Sequence, residues 1–177
     1  PDGTVRVLTG ITSPGTHNGT AIAQIVADEL GIDMDRIEVL QGDTNSSPYG
    51  FGNYSGRSTI VGGGSAALAA KDVRDKINAV AAALLEVEID TLSLSEGVFS
   101  SSDNGDATVT FAEVCYASYT RAYDVAMCID PPLEATRTFK PPGISHLPDE
   151  NGRINPYPSY SNAVYVVVCE VDTETGK

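Results

Sequence analysis

Tryptophan is absent from the 177 residues, histidine occurs twice and cysteine three times, and lysine plus arginine total only 11 against 24 acidic residues. Each scarcity removes a class of function. The net charge of −13 argues against nucleic acid or an anionic membrane surface as a partner over most of the surface. A small anionic ligand stays compatible with that field, because one local patch of amides can oppose it. Cys115, Cys128 and Cys169 are an odd number, widely spaced and without a C-x-x-C pair. They read as reduced, mostly buried thiols of a cytoplasmic protein. His17 and His146 lie far apart with no clustered carboxylates, a poor basis for a zinc site. No apolar run reaches the length of a membrane span, and nothing resembles a signal peptide.

The length suffices for a real core and one domain, at most two small ones. A strand is predicted over residues 4–8, and Ile22, Ile25, Val26 and Leu30 then fall on one face at helical period. Asn18 or Thr20 is placed to cap that helix, and Gly31 stands where a left-handed residue closes one. Residues 36–40 give a second strand. After a polar, glycine-rich loop (44–54) a long helix starts near Ser58 or Thr59, with Val73, Ile77, Val80, Ala81 and Leu84 as its buried stripe. Short strands are predicted around the Glu96-Gly97 and Asn104-Gly105 turns, then a short helix over 110–119. Residues 133–139 read as a strand and 140–160 as a mobile loop. The nearly continuous apolar run within 162–171 reads as a central strand covered on both faces. The sum is an α+β domain, a two-layer sandwich with a small mixed sheet and two main helices on one face.

Two junctions carry the chemistry. In the first, a strand runs into Thr9-Gly-Ile-Thr-Ser-Pro-Gly-Thr-His-Asn-Gly-Thr20 and opens a helix. Backbone N–H groups and the positive end of the helix dipole then face one spot, where an anion, above all a phosphate, is held without a lysine. In the second, Gly50-Phe-Gly-Asn-Tyr-Ser-Gly-Arg-Ser58 precedes the long helix. Ser55 and Ser58 offer hydroxyls, Gly56 allows close backbone approach, and Arg57 can clamp a phosphate with two parallel N–H bonds. Neither loop is a Walker A or a dinucleotide fingerprint. The competing reading is two ordinary helix starts, with Arg57 paired to Asp43 or another surface carboxylate.

The run Gly10 to Gly31 resembles the molybdopterin-binding domain of molybdenum hydroxylase large subunits, the xanthine dehydrogenase, aldehyde oxidase and aerobic carbon monoxide dehydrogenase family. Glu38-Val-Leu-Gln-Gly-Asp-Thr44, Pro48-Tyr-Gly-Phe-Gly-Asn-Tyr-Ser-Gly-Arg-Ser58 and Glu170-Val-Asp-Thr-Glu-Thr-Gly176 agree in order and spacing, so the resemblance covers nearly the whole chain. It implies that Gly15, Thr16 and His17 stand at the family's Gly-Gln-Gly segment near the pterin, with Asn18 and Thr20 following. It implies that Ser55, Gly56, Arg57 and Ser58 bind the pyrophosphate or nucleotide end. The cofactor implied is molybdenum-molybdopterin, the cytosine dinucleotide being one form, carried by the full-length parent and absent from the isolated segment.

The chain departs from the family at Thr16, where glutamine is usual, and at His17, where a second glycine is usual. A threonine hydroxyl reaches less far than a glutamine amide, leaving the backbone amides to serve, and a histidine is not expected in a glycine-only conformation. No catalytic residue and no protein ligand to the metal is assigned here, and Glu29, Glu38 and Glu170 read as surface carboxylates or loop partners. The expectation is one domain spanning 1–177, an excised piece of a longer oxidoreductase acting on an aldehyde or N-heterocycle, inactive alone. Its implied partners are the remainder of the large subunit and FAD and iron–sulfur subunits or domains, with self-association of the isolated piece. The rival class is a cofactor-free assembly or interaction module that keeps the fold, and a weaker third is a stand-alone phosphate-ligand binding protein.

Overall fold

The computed structural model describes residues 1–47, 49, 50, 52, 53, 56–121, 123, 132–145, 147–160 and 162–177. Ser55, Cys128 and His146 from the sequence reading lie outside the described residues. Strand β1 (Val5–Thr9), helix α1 (Asn18–Leu30) and strand β2 (Ile37–Gln41) form a crossover unit. β1 and β2 pair in parallel, Val5 opposite Ile37 through Thr9 opposite Gln41. The long helix α2 (Arg57–Leu85) follows, then strands β3 (Leu92–Ser95), β4 (Val98–Ser101) and β5 (Thr108–Thr110), and helix α3 (Phe111–Thr120). The last three strands make an antiparallel sheet in the order β3-β4-β5.

Ile22, Val26 and Leu30 of α1 lock against Ile77 and Val80 of α2, with Phe99 from β4 and Val114 from α3 completing the core. Burying such side chains is worth about 1.5–3 kcal/mol each relative to exposure. Arg74 of α2 pairs its Nη1 with Glu29 Oε1 of α1 at 2.7 Å, tying the helices at the core's edge. Gly31 adopts φ 66° and donates its N–H to Ala27 O at 2.8 Å, closing α1 as its position in the sequence predicts. The three consecutive glycines of α2 would each cost a helix about 1 kcal/mol relative to alanine. Packing explains them. A Cβ on Gly62 would strike Ile11, one on Gly63 would come within 2.7 Å of Ile25 Cδ1, and one on Gly64 would run into the ring of Phe139.

The α+β class stands, with the parallel and antiparallel ladders divided between two small sheets rather than joined in one. Two expected strands are corrected. Residues 133–139 run along α2 without a ladder, held by Arg137 on Asp72 and by the Phe139 N–H on Ser65 Oγ at 3.0 Å. Residues 162–171 form no strand either: they stand in solvent, Val164 89% and Val168 95% exposed. Apolarity on both faces marks a segment suited to a sheet interior, but a strand also requires a neighbour for its backbone groups. The expected loop 140–160 is partly folded on itself through paired backbone bonds between Ser145 and Asn155, at 2.8 and 3.1 Å. Cys115 is buried as expected, whereas Cys169 is exposed. Among the described residues no helix is long and apolar enough to cross a membrane.

Candidate functional site

The parallel pairing of β1 with β2 brings the two loops that follow them to the same end of the sheet. There the chain packs backbone on backbone: a Cβ on Gly50 would lie 2.7 Å from both the Cα and the carbonyl carbon of Gly10. Only a residue without a side chain fits at Gly50. A four-residue polar cluster then joins the two helix starts. Asn18, the first residue of α1, donates from Nδ2 to Asn53 Oδ1 at 3.2 Å and to Thr12 O at 3.4 Å. Ser58 Oγ, in the first turn of α2, donates to the same Asn53 Oδ1. Thr59 Oγ1 donates to Asn18 Oδ1 at 3.4 Å. Asn18 and Ser58 are buried, so this cluster is a structural clamp as much as a surface.

Helix capping differs between these two ends and the third. At α3, Thr110 and Glu113 form a complete capping box. At α1 the N-cap is His17 and at α2 it is Gly56, and neither end has a side-chain cap. The expected capping of α1 by Asn18 or Thr20 is therefore corrected: Asn18 is committed to the clamp and Thr20 points outward, exposed. Each of these two starts stands at the positive end of a helix dipole.

Arg57 sits beside the clamp, half-buried at the start of α2, and pairs with no carboxylate among the described residues. Asp43, its expected alternative partner, is engaged by the Asn45 N–H at 2.9 Å and Ser46 Oγ at 2.8 Å. Those bonds hold the Asp43 carboxyl below its ordinary range. Ser47 Oγ is buried without a hydrogen-bond partner among the described residues. Ser47, Arg57 and Ser58 are among the residues that line a cleft of about 1970 Å³. A guanidinium and a buried hydroxyl, both without such partners among the described residues, suit an anionic, hydrogen-bonding ligand.

Gly15, Thr16 and His17 form an exposed turn ahead of α1. Gly15 has φ 96°, and His17 has φ 54° and ψ 29°. The histidine thus holds the left-handed conformation that a glycine would favour there, which corrects the expectation that it could not. Glu29 and Glu38 serve as partners to Arg74 and Arg6, at 2.7 and 2.8 Å. Among the described residues no three of His, Cys, Asp and Glu group to hold a metal. The sequence reading missed Asn53, Thr59 and Ser47. Asn53 and Ser47 both stood inside the long polar loop, where an amide between two glycine-flanked turns was the available signal.

Residues 1–177 match the family of the molybdopterin cofactor-binding domain. The large chain of carbon monoxide dehydrogenase from Hydrogenophaga pseudoflava is 31% identical over 177 residues, covering 100% of this chain and 20% of that relative. The large subunit of nicotine 6-hydroxylase from Paenarthrobacter nicotinovorans is 30% identical over 174 residues, 98% of this chain and 20% of the relative. Among solved structures, CO dehydrogenase from Oligotropha carboxidovorans superposes with a TM-score of 0.66 at 35% identity, over 75% of this chain and 16% of that one. The chain spans about a fifth of the length of these sequence relatives.

Proposed function

The chain belongs to the molybdopterin cofactor-binding domain family, and we propose that its two helix starts without side-chain caps, with Arg57 as the first residue of α2, hold the phosphate-bearing part of that cofactor. The reading is carried by Arg57, without a carboxylate partner among the described residues, and Ser47 Oγ, buried without a hydrogen-bond partner among them, which line the same cleft. A buried hydroxyl is costly to leave unsatisfied, and a half-buried guanidinium favours an anion. The residues fit the group in kind. Arg57 supplies a planar fork for phosphate, and the starts of α1 and α2 offer the positive ends of their dipoles. Asn53 keeps the two helix starts together by accepting from Asn18 and Ser58. Gly15, Thr16 and His17 lie exposed ahead of α1, and Gly56 stands at the N-cap of α2 next to Arg57. Molybdenum-molybdopterin, when bound, supplies the redox chemistry. This chain's own residues bind and orient, and none is assigned a proton-transfer role.

At the level of the whole protein, the reading is one domain of a molybdenum-dependent hydroxylase or oxidoreductase acting on an aldehyde or N-heterocycle. It would work with the rest of its large subunit and with FAD and iron–sulfur partners. The test is the molybdenum and pterin content of the full-length protein carrying Arg57→Ala, Arg57→Lys or Ser47→Ala. Arg57→Ala is expected to lower cofactor content at least tenfold, with Lys retaining part of it because it keeps the charge but loses the fork. Full molybdenum content in the Arg57→Ala protein would overturn the reading and favour an assembly module that keeps the fold without the cofactor.

A further inference from the structure

The sequence contains three Asn-Gly pairs, Asn18-Gly19, Asn104-Gly105 and Asn151-Gly152. Such a pair is chemically labile. The backbone nitrogen of the glycine can attack Cγ of the asparagine, because no side chain shields it and the glycine backbone is free to bring the two atoms together. The fold treats the three pairs differently. Asn18 is buried and its carboxamide is engaged at both ends: Nδ2 donates to Thr12 O and Asn53 Oδ1, and Oδ1 accepts from Thr59 Oγ1. Gln41 also crowds Gly19, its Nε2 lying 2.9 Å from where a Cβ would stand. Asn104 Nδ2 donates to Leu85 O at the end of α2. Swinging either carboxamide onto the next backbone nitrogen would break bonds to other elements of the fold.

Asn151-Gly152 has no such anchor. It lies in the turn of the loop that Ser145 and Asn155 close. The bonds that shape this turn are local and centre on Asp149. Its Oδ1 accepts from the Asn151 N–H at 2.9 Å and the Arg153 N–H at 2.8 Å. Its backbone N–H donates to Arg153 O at 2.9 Å, and its O accepts from the Gly152 N–H at 3.0 Å. These bonds hold the backbone and leave the Asn151 carboxamide without a hydrogen bond among the described residues. One turn bond ties the Gly152 nitrogen, and a single turn opens far more readily than a packed helix. Gly152 itself carries the chain reversal at φ 74°.

We propose that Asn151 is a site of spontaneous deamidation. The Gly152 nitrogen, having lost its proton to solvent base, forms a bond to Asn151 Cγ. The Cγ–Nδ2 bond breaks, and Nδ2 takes up a proton and leaves as ammonia. The product is a five-membered succinimide. Water then adds to one of its two carbonyls and breaks one C–N bond, giving aspartate, or isoaspartate with the main chain rerouted through the side chain. No electron is transferred, and water is the sole co-reactant. Isoaspartate lengthens the main chain by one carbon inside the turn, so the Gly152 and Arg153 N–H groups no longer meet Asp149, and the Ser145–Asn155 closure loosens. Ile144, Ser145 and Leu147 in the first arm of this loop are among the residues that line the cleft. The proposal stands whether or not the cofactor reading holds.

Peptide mapping by mass spectrometry of the full-length protein, aged in mildly alkaline buffer, tests it by reading the amide-to-acid mass gain at each pair. Asn151 is expected to convert at least tenfold faster than Asn18 or Asn104, to give aspartate and isoaspartate together, and to convert faster as pH rises. Gly152→Ala should slow the conversion at least tenfold, because a Cβ shields the attacking nitrogen. In the aged protein the Ser145 and Asn155 amides should exchange hydrogen faster than in the fresh one. An intact Asn151, or equal conversion at all three pairs, would overturn the proposal. So would conversion that Gly152→Ala leaves unchanged, which would assign it to direct hydrolysis of the side chain. Because the three pairs are compared first in the unsubstituted protein, the test does not depend on the variant folding.

Discussion

His17 offers a direct test of the strained turn ahead of α1. Its φ of 54° and ψ of 29° lie in the left-handed region, which costs an ordinary L-residue roughly 1–2 kcal/mol. The side chain is exposed and makes no cap hydrogen bond, so its replacement forfeits no contact seen in the fold. His17→Gly removes the backbone cost but returns about 0.4–1 kcal/mol through the freer unfolded chain. The net expectation is a gain of about 0.5 kcal/mol. His17→Val places a β-branched side chain where it is a true outlier, so the two variants should differ by about 2 kcal/mol. For a chain of this size that is a separation of roughly 4–8 °C in melting temperature. Scanning calorimetry on the two variants and the parent should give the order Gly, His, Val from most to least stable. Equal melting of the Gly and Val variants would refute the left-handed assignment. A Gly variant less stable than the parent would show that the imidazole makes a contact this account lacks. Cofactor content of His17→Gly in the full-length protein adds a functional arm.

Gly64→Ala would set its Cβ 2.6 Å from Phe139 Cγ, against a rigid ring, whereas Gly63→Ala meets only the flexible tip of Ile25 at 2.7 Å. Overpacking costs about 1–3 kcal/mol against a propensity gain of about 1 kcal/mol. Gly64→Ala should therefore lower the urea midpoint below that of Gly63→Ala, and the reverse order would unseat the 133–139 segment from α2. Two exposed carboxyls are held below their ordinary values, Asp72 by Arg137 and Glu113 by the Thr110 N–H and hydroxyl. A lowered folded pKa gives stability that is present above the unfolded values, 3.8 and 4.5, and is lost as pH falls through the folded ones. Melting temperature should decline on acidification through that range, and Asp72→Asn should flatten part of the slope. An unchanged slope would mean that the Asp72–Arg137 pair contributes nothing. Burial pushes the Cys115 thiol up to about 11, so at pH 8 roughly one molecule in a thousand carries the thiolate. Peptide mapping after thiol labelling should leave Cys115 unmodified until the chain unfolds, and rapid labelling in native buffer would contradict its place in the core.

The periodic elements were legible because their physics is local. Ile22, Val26 and Leu30 announced α1, Gly31 announced its end, and the glycine turns announced the short strands β3, β4 and β5, though not that they form a sheet of their own. Segments 133–139 and 162–171 were misread for a common reason. Their composition suits a sheet interior, but a strand is a relation between two segments, and one segment's composition does not reveal whether its neighbour is present. At the site, the hydroxyls and Arg57 were legible as residue types beside helix starts. The clamp was not, because Asn53 acquires its role only when β1 and β2 pair in register and set Asn18 and Ser58 on either side of it. His17 went the opposite way: residue type argued against the left-handed turn, and the surrounding geometry imposed it.

The accounting of helix ends gives the site its physical coherence. A side-chain cap is worth about 1 kcal/mol, and the chain evidently encodes caps where nothing else is needed, as Thr110 and Glu113 show at α3. At α1 and α2 it places a left-handed histidine and a glycine instead, and commits the nearest polar side chains, Asn18 and Ser58, to holding the two ends together. Close to the start of α2, Arg57 pairs with no carboxylate among the described residues, and Ser47 Oγ, lining the same cleft, is buried without a hydrogen-bond partner among them. Stability alone would have favoured two ordinary caps and an ion pair between Arg57 and one of the many carboxylates. Leaving them out is the pattern expected when an anionic ligand completes the hydrogen bonding that the fold leaves open, the reading proposed for the cleft beside Arg57.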